Sequence, residues 1–211
     1  MKDLSNFRIS YDKLSLIEQH LPNEPFKLFQ TWFEELCKSN TVLEPNAMTL
    51  STIDNENKPR NRVVLLKKFS DKGFVFYTNY KSKKGIDIKN NPNVSISFFW
   101  PSFERQVIIE GICTKISNKE SDEYFYSRPI DSQIGAIISN QSCEIPNRDY
   151  IENKFDSFKS EDTEISRPLS WGGYIINPIK IEFWQGRKNR LHDRILYCKD
   201  DNSWSFKRLS P

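Results

Sequence analysis

The run Met48-Thr49-Leu50-Ser51-Thr52-Ile53 is followed by the cluster Asp54-Asn55-Glu56-Asn57, and then by Arg62-Val63-Val64-Leu65-Leu66. After Ser70-Asp71-Lys72-Gly73 comes Gly73-Phe74-Val75-Phe76-Tyr77-Thr78. These stretches decide the fold class. The first alternates apolar and polar residues, which is the period of a strand with one buried face. The Asp/Asn cluster is a turn. The two β-rich runs, joined by a short turn, predict a hairpin.

Working outward, the same period returns downstream. Val94 to Trp100 and Gln106 to Lys115 read as a strand pair. Trp171 to Ile176, Ile179 to Trp184, Arg190 to Tyr197 and Ser203 to Arg208 read as the final strands. Helical spacing interrupts them. Pro25 to Ser39 carries Phe26, Phe29, Phe33 and Leu36 on one stripe, with proline at its first position and Asn40 as its stop. Ser82 to Lys89 predicts a short helix capped by Ser82. Ser117 and Glu120 form a capping-box pattern, and Arg128-Pro129 ends that helix. Ser132 to Ile138 and Asn147 to Phe158 are two further helical segments. Short strands with a few helices between them predict a mainly β (α+β) chain, either a small antiparallel barrel with peripheral helices or an open sheet. Strands and helices do not alternate regularly, which argues against a doubly wound nucleotide fold.

Composition bounds the function. The chain has 211 residues, 31 Lys and Arg against 28 Asp and Glu, and a net charge of +3. That excess is too small for a protein that coats nucleic acid by charge. Hydrophobic residues make up 37% and aromatics 13%, enough to build a core. No apolar run is long enough to span a membrane and the N-terminus lacks a secretory signal, so a cytoplasmic location is expected. The four cysteines, Cys37, Cys113, Cys143 and Cys198, lie far apart and read as free thiols. With only His20 and His192 present, a histidine-rich metal site is not expected, and His20 reads as solvated. Residues 1–24 are expected to form a flexible arm or lid, and residues 25–211 a single domain.

The chemistry-bearing residues fall into four sets. Arg62 and Lys67 flank a strand, five residues apart, and so are expected on opposite faces; as an alternative they are end-of-strand charges snorkelling to water. Tyr77-Thr78 leads into Lys81-Ser82-Lys83-Lys84-Gly85, where ammonium groups, a hydroxyl and a helix start suit a phosphate; a solvated basic loop is the alternative. Tyr124 and Arg128 share a helix face, with Ser132 after the break, giving a second phosphate set unless Tyr124 only packs on the Arg128 stem. In Arg190-Leu191-His192-Asp193-Arg194 the alternating Arg190, His192 and Arg194 are expected on one strand face. Three potential cations side by side call for an anion or an electron-rich ring. Trp184-Gln185-Gly186 adds an aromatic surface. P-loop, dinucleotide, zincin and nucleophile-elbow strings are absent from the sequence.

With these residues in view, the chain resembles the pyridoxine (pyridoxamine) 5′-phosphate oxidase family. The resemblance rests on collinear segments: Arg62 to Lys67, Gly73 to Asn79, Phe98-Phe99-Trp100, Glu104-Arg105-Gln106, Ser127-Arg128-Pro129, Asp131 to Ala136, Gln141-Ser142, Trp171-Gly172-Gly173, Ile181 to Gly186 and Arg190 to Arg194. It implies an FMN-binding split β-barrel of Greek-key type, a homodimer with FMN at the subunit interface, and oxidation of pyridoxine or pyridoxamine 5′-phosphate to pyridoxal 5′-phosphate by dioxygen, with release of hydrogen peroxide. By the same resemblance FMN would meet Arg62, Val63, Val64, Leu65, Leu66, Lys67, Tyr77, Thr78, Lys83, Lys84, Gln106, Gln141, Ser142, Trp184 and Arg194. The substrate phosphate would meet Lys67, Tyr124, Arg128 and Ser132. Arg190 and His192 would hold the substrate ring as catalytic residues, and Arg8 and Tyr11 match the family's lid. Lys83, Ile137 and Glu44 depart from the residues frequent in the family. Competing expectations are another FMN split-barrel protein, such as a flavin reductase-like or flavin-storage protein, a pyridoxal-phosphate carrier, and a nucleic-acid-binding barrel.

Overall fold

The computed structural model describes residues 1–161, 164–201 and 203–211. Its elements, in chain order, are α1 (Pro25–Ser39), β1 (Ala47–Ile53), β2 (Pro59–Leu65), β3 (Lys68–Ser70), β4 (Gly73–Asn79), α2 (Lys83–Asn90), β5 (Asn93–Trp100), β6 (Arg105–Lys115), α3 (Asn118–Ser127), α4 (Ile130–Ile138), α5 (Arg148–Ser160), β7 (Trp171–Gln185), β8 (Asp193–Asp200) and β9 (Ser203–Leu209). Strands pair in the order β2-β1-β5-β6-β7-β4-β3, with β8 between β7 and β9. The mainly β, α+β class expected from the sequence is the class found. No helix among the described residues is long and apolar enough to cross a membrane.

The chain forms two compact units. One comprises residues 1–50, 95–111 and 178–211; the other comprises 51–94 and 112–177. In the first, α1 buries Phe26, Leu28, Phe29, Trp32 and Leu36. Trp32 meets Phe183 edge-on at 5.2 Å and Phe29 meets Phe98 at 5.3 Å. Asn40 ends the helix in the left-handed region, as a C-terminal stop should. In the second unit, β4 is buried along nearly its whole length and pairs antiparallel with β7 from Phe74↔Ile176 to Asn79↔Trp171. The capping box expected at Ser117 and Glu120 is formed in both directions, which fixes the start of α3. Ser82 caps α2 by accepting from the Gly85 N–H at 3.3 Å.

The pairing corrects three expectations. The hairpin partner of Gly73–Thr78 is the short β3, while Arg62–Leu65 belongs to β2 and pairs with β1. The two runs expected at Trp171–Ile176 and Ile179–Trp184 are one strand. β7 runs through Pro178 unbroken, pairing with β4 up to Ile176 and with β8 from Lys180. Finally, α4 starts at Ile130, immediately after Pro129, rather than at Ser132. Residues 1–24 hold only a short 3-10 turn at Glu18–His20, and His20 is exposed.

Gly73 turns the chain from β3 into β4 with φ +139, and a Cβ there would lie 2.2 Å from the Ile176 carbonyl oxygen. Gly73→Ala is expected to cost roughly 1–3 kcal/mol from backbone strain alone. A urea titration of the variant should show an earlier midpoint with an unchanged slope.

Candidate active site

A cavity of about 670 Å³ opens in the second unit, walled by the ends of β2 and β4, by α3 and by the start of α4. It gathers Arg62, Val63, Val64, Leu65 and Lys67 from the first set, and Tyr77, Thr78 and Lys84 from the second. Tyr124, Arg128 and Ser132 complete the third set there, and Gln141 reaches the same space. Arg62 and Lys67 therefore share one cavity instead of facing apart. The alternation that separates them stops at Leu65, where β2 ends. Two lining residues, Trp171 and Pro129, stand in segments that carry the resemblance but, being uncharged, were not singled out as site residues.

Charge is what distinguishes this cavity. Lys84 Nζ lies 2.9 Å from Gln141 Oε1, 3.2 Å from Thr78 Oγ1 and 3.4 Å from Ser82 Oγ, all neutral partners. Burial, reinforced by Arg62, lowers its pKa to about 8. Arg62 donates to Thr52 Oγ1 at 2.7 Å and faces Asp87 at 3.8 Å, while burial shifts its pKa downward. Tyr77 stacks on Tyr124 at 3.8 Å and on Trp171 at 5.6 Å. Burial pushes the Tyr77 phenol up to about 12. Arg128 lies over the Trp171 ring at 4.8 Å, and burial likewise shifts its pKa downward. The Tyr77 hydroxyl and Arg128 Nη1 are buried and have no hydrogen-bond partner among the described residues. Unpaired buried donors cost free energy that a ligand anion would recover.

The remaining residues of these sets stand apart from the cavity lining. Leu66 is buried in the core. Lys83 is exposed, and its backbone N–H donates to Ser142 Oγ at 3.3 Å. Ser142 itself has a positive φ of 74.

The first unit holds a second cavity, of about 730 Å³, where Arg8 and Tyr11 meet Arg187, Asn189, Arg190 and His192. The one-strand-face expectation for Arg190, His192 and Arg194 is not met. β8 begins only at Asp193, and Asn189 and Arg190 both take positive φ, 57 and 61, in a tight turn. Arg194 is on the strand, but its guanidinium is taken by Glu182 at 2.8 and 3.1 Å. Asn189, a residue type tolerant of the left-handed region, was the one signal of this turn in the sequence. Trp184 packs 4.6 Å from His192 and 5.9 Å, edge-on, from Tyr11. Gln106 is half-buried on β6 in the same unit.

His192 Nδ1 accepts the Arg187 N–H at 3.1 Å, so the ring proton of the neutral form sits on Nε2. Burial first, then Arg190, lowers the His192 pKa, against a smaller opposing effect of Asp193.

In solved structures the fold recurs in PhzG from Burkholderia lata 383, in complex with tetrahydrophenazine-1-carboxylic acid, at TM-score 0.89 and 27% identity over 96% of this chain and 100% of that one. A pyridoxamine 5′-phosphate oxidase-related, FMN binding protein from Nostoc punctiforme shares the fold at TM-score 0.72 and 17% identity, over 91% and 99% of the two chains. The fold class is the split β-barrel. Residues 38–160 match the family model described as pyridoxamine 5′-phosphate oxidase, and residues 171–211 match that of the pyridoxine 5′-phosphate oxidase C-terminal dimerisation region. Proteins described as pyridoxine/pyridoxamine 5′-phosphate oxidase are 53% identical in Flavobacterium johnsoniae, over 100% of both chains, and 50% identical in Christiangramia forsetii, over 100% of this chain and 99% of that one. The chain belongs to the pyridoxine/pyridoxamine 5′-phosphate oxidase family.

The lowered His192 pKa has a sign that can be tested. Below its ordinary value the unfolded chain takes up a proton that the folded ring resists, so this histidine's contribution to stability is present above about pH 6.5 and fades as pH falls through the folded value. With two histidines in the chain, proton NMR resolves both. His192 is expected to titrate below 6.5, and Arg190→Ala should move it upward.

Proposed function

We propose that the protein is an FMN-dependent oxidase that converts pyridoxine or pyridoxamine 5′-phosphate to pyridoxal 5′-phosphate, with dioxygen as acceptor and hydrogen peroxide as product. One observation carries this reading. Among the described residues, every buried or half-buried arginine except Arg128 has a carboxylate within ion-pair distance, and Arg128 instead points an unpartnered Nη1 into a cavity beside Tyr124 and Ser132. That arrangement suits a phosphate, whose oxygens would satisfy a guanidinium and a hydroxyl together. Family membership supplies the substrate class.

The residues present fit FMN. Lys84 has only neutral partners and Tyr77 Oη lacks one, so an anionic, hydrogen-bonding cofactor would satisfy both. In this reading Arg62 to Lys67, Tyr77, Thr78, Lys84 and Gln141 hold the cofactor, with Lys83, Ser142, Gln106, Trp184 and Arg194 as its further contacts. Bound FMN supplies the two-electron redox chemistry, which the protein does not contain. Lys67, Tyr124, Arg128 and Ser132 anchor the substrate phosphate. Arg190 and His192 hold the substrate ring, and the Arg187 N–H occupies His192 Nδ1, which leaves Nε2 to face the substrate. Arg8 and Tyr11 close over that ring as a lid. Such positioning can be worth about 7–11 kcal/mol of the activation barrier when the reacting groups are held near attack. The working form is read as a cytoplasmic homodimer, in keeping with the dimerisation region matched at residues 171–211.

The direct test is the visible spectrum of the purified protein, followed by oxygen uptake with pyridoxine 5′-phosphate. A flavin band and equimolar peroxide are expected; a colourless protein that binds no added FMN would refute the reading. Arg128→Ala should raise KM at least ten-fold, the loss expected for a charge-assisted hydrogen bond of about 1.5 kcal/mol or more. It should leave the flavin spectrum intact.

The lowered Lys84 pKa gives an independent check. Its charge is present below about pH 8 and lost as pH rises through that value in the cofactor-free protein. FMN affinity, followed by quenching of flavin fluorescence, is expected to fall between pH 7 and 9.5. In Lys84→Met affinity should be weaker throughout and this part of the pH dependence should vanish.

A further inference from the structure

Beyond the residues that line the second cavity, Arg208 on β9 joins three groups, the Glu18 carboxylate, the Leu16 carbonyl and the Asp193 carboxylate. Its Nη2 donates to Glu18 Oε2 and to the Leu16 carbonyl oxygen, both at 2.8 Å, and its Nε reaches the other Glu18 oxygen. Its Nη1 donates to Asp193 Oδ1 at 2.8 Å. The second Asp193 oxygen accepts the Leu16 N–H at 3.0 Å and faces Arg187 at 3.6 Å. Arg187 in turn donates to the Leu14 carbonyl oxygen at 3.3 Å. Two acids and two arginines thus form a charge-balanced clasp around the backbone of residues 14–18, and Leu16 is buried beneath it at 5% exposure. Arg208 holds the Glu18 carboxyl down to about 2, so the clasp stays ionised throughout the neutral range.

The segment that this clasp fixes leads directly to the cavity. Tyr11 lies against Trp184 and 6.0 Å from His192, in space left by Gly186, where a Cβ would come within 2.7 Å of the Tyr11 ring. Upstream, Phe7 and Ile9 are exposed at 82% and 83%, so the hold on the arm ends near Tyr11. The arm therefore has a fastened root and an exposed tip, with Arg8 and Tyr11 at the junction, where they line the space beside Arg190 and His192.

We infer that Arg208 and Asp193 are positioning residues for substrate capture: they clasp the root of the N-terminal arm so that Tyr11 and Arg8 stand over the Arg190/His192 cavity. This rests on the proposed reaction for what is captured, but not for the clasp itself. Asp193 follows His192 directly in the chain, yet its carboxylate serves the arm. Arginine is needed at 208 because a planar fork can meet Glu18, Asp193 and a carbonyl at once, whereas an ammonium cannot span them.

The test uses the full-length, FMN-loaded protein with Arg208→Gln, Asp193→Asn and, on the arm itself, Glu18→Gln, which leaves the strands untouched. Limited trypsin digestion should cut at Lys13 faster in each variant. KM for pyridoxine 5′-phosphate should rise roughly ten-fold in Arg208→Gln, the size of one lost charge-assisted hydrogen bond. kcat and FMN affinity should change little, and Arg208→Lys should recover only part of the loss. Cleavage at the wild-type rate in both Arg208→Gln and Glu18→Gln would overturn the clasp. Faster cleavage with unchanged KM would overturn its role in capture. If the wild-type protein turned over no pyridoxine 5′-phosphate, the proposed reaction would fail, while the digestion would still decide the clasp.

Discussion

A guanidinium or ammonium group taken out of water must find an opposite charge or a full set of acceptors, and this constraint organises the chain. Most of its arginines meet it internally. Arg105 lies over Trp32 and donates to Gln185 and Glu35; Arg167 is held by Asp122 and the Trp171 carbonyl; Arg194 is held by Glu182. Among the described residues Arg128 does not, and Lys84 meets it with neutral acceptors alone. Asp54 and Asp87 engage Arg60, and Asp87 also faces Arg62. Thr52 links Arg62 and Asp87 further by accepting from the one and donating to the other at 2.8 Å. Asp87 thus holds Arg62 without itself lining the cavity. An anion held there meets donors already in place and adds little ordering cost.

The rest of the first cavity follows from strand and helix ends. β4 delivers Tyr77 and Thr78 at its close, α2 begins with Lys84 in its first turn, and the capping box sets where α3 starts and hence where Tyr124 and Arg128 fall. The stack of Trp171, Tyr77 and Tyr124 gives this wall a rigid aromatic side. Sites on such elements are more sharply defined than sites on loops.

Much of this was legible in the sequence because it is local. Proline at the start of α1, Asn40 at its end, the Ser82 cap and the Ser117/Glu120 box are all read within one helical turn. The three basic sets that line the first cavity were legible as residue types. Their convergence was not, since it depends on β4 pairing with β7 almost a hundred residues away and on β2 ending at Leu65. The unity of β7, expected as two strands, was hidden for the same reason, since its first half is held by pairing with the distant β4. The Arg190–Arg194 string misled because alternation assumes a strand, and the left-handed turn at Asn189 and Arg190 puts its first residues ahead of one.

That turn separates the two cavities in kind. A left-handed residue other than glycine costs about 1–2 kcal/mol, and here two stand in succession at the residues that face Tyr11 and Arg8. Strain of this sort persists only where the surroundings hold it. The surroundings are supplied on one side by His192 Nδ1, which binds the Arg187 N–H, and on the other by Asp193, which binds the arm. Residues 187–193 thus form a short strained bridge whose Arg187 and Asp193 hold the arm, unlike the first cavity, whose walls are mostly regular elements. A binding cradle gains from walls that do not move; a group that must meet a substrate and let it go gains from a strained turn and a tethered arm. Under the proposed function, the phosphate-binding donors belong to the former and Arg190 to the latter.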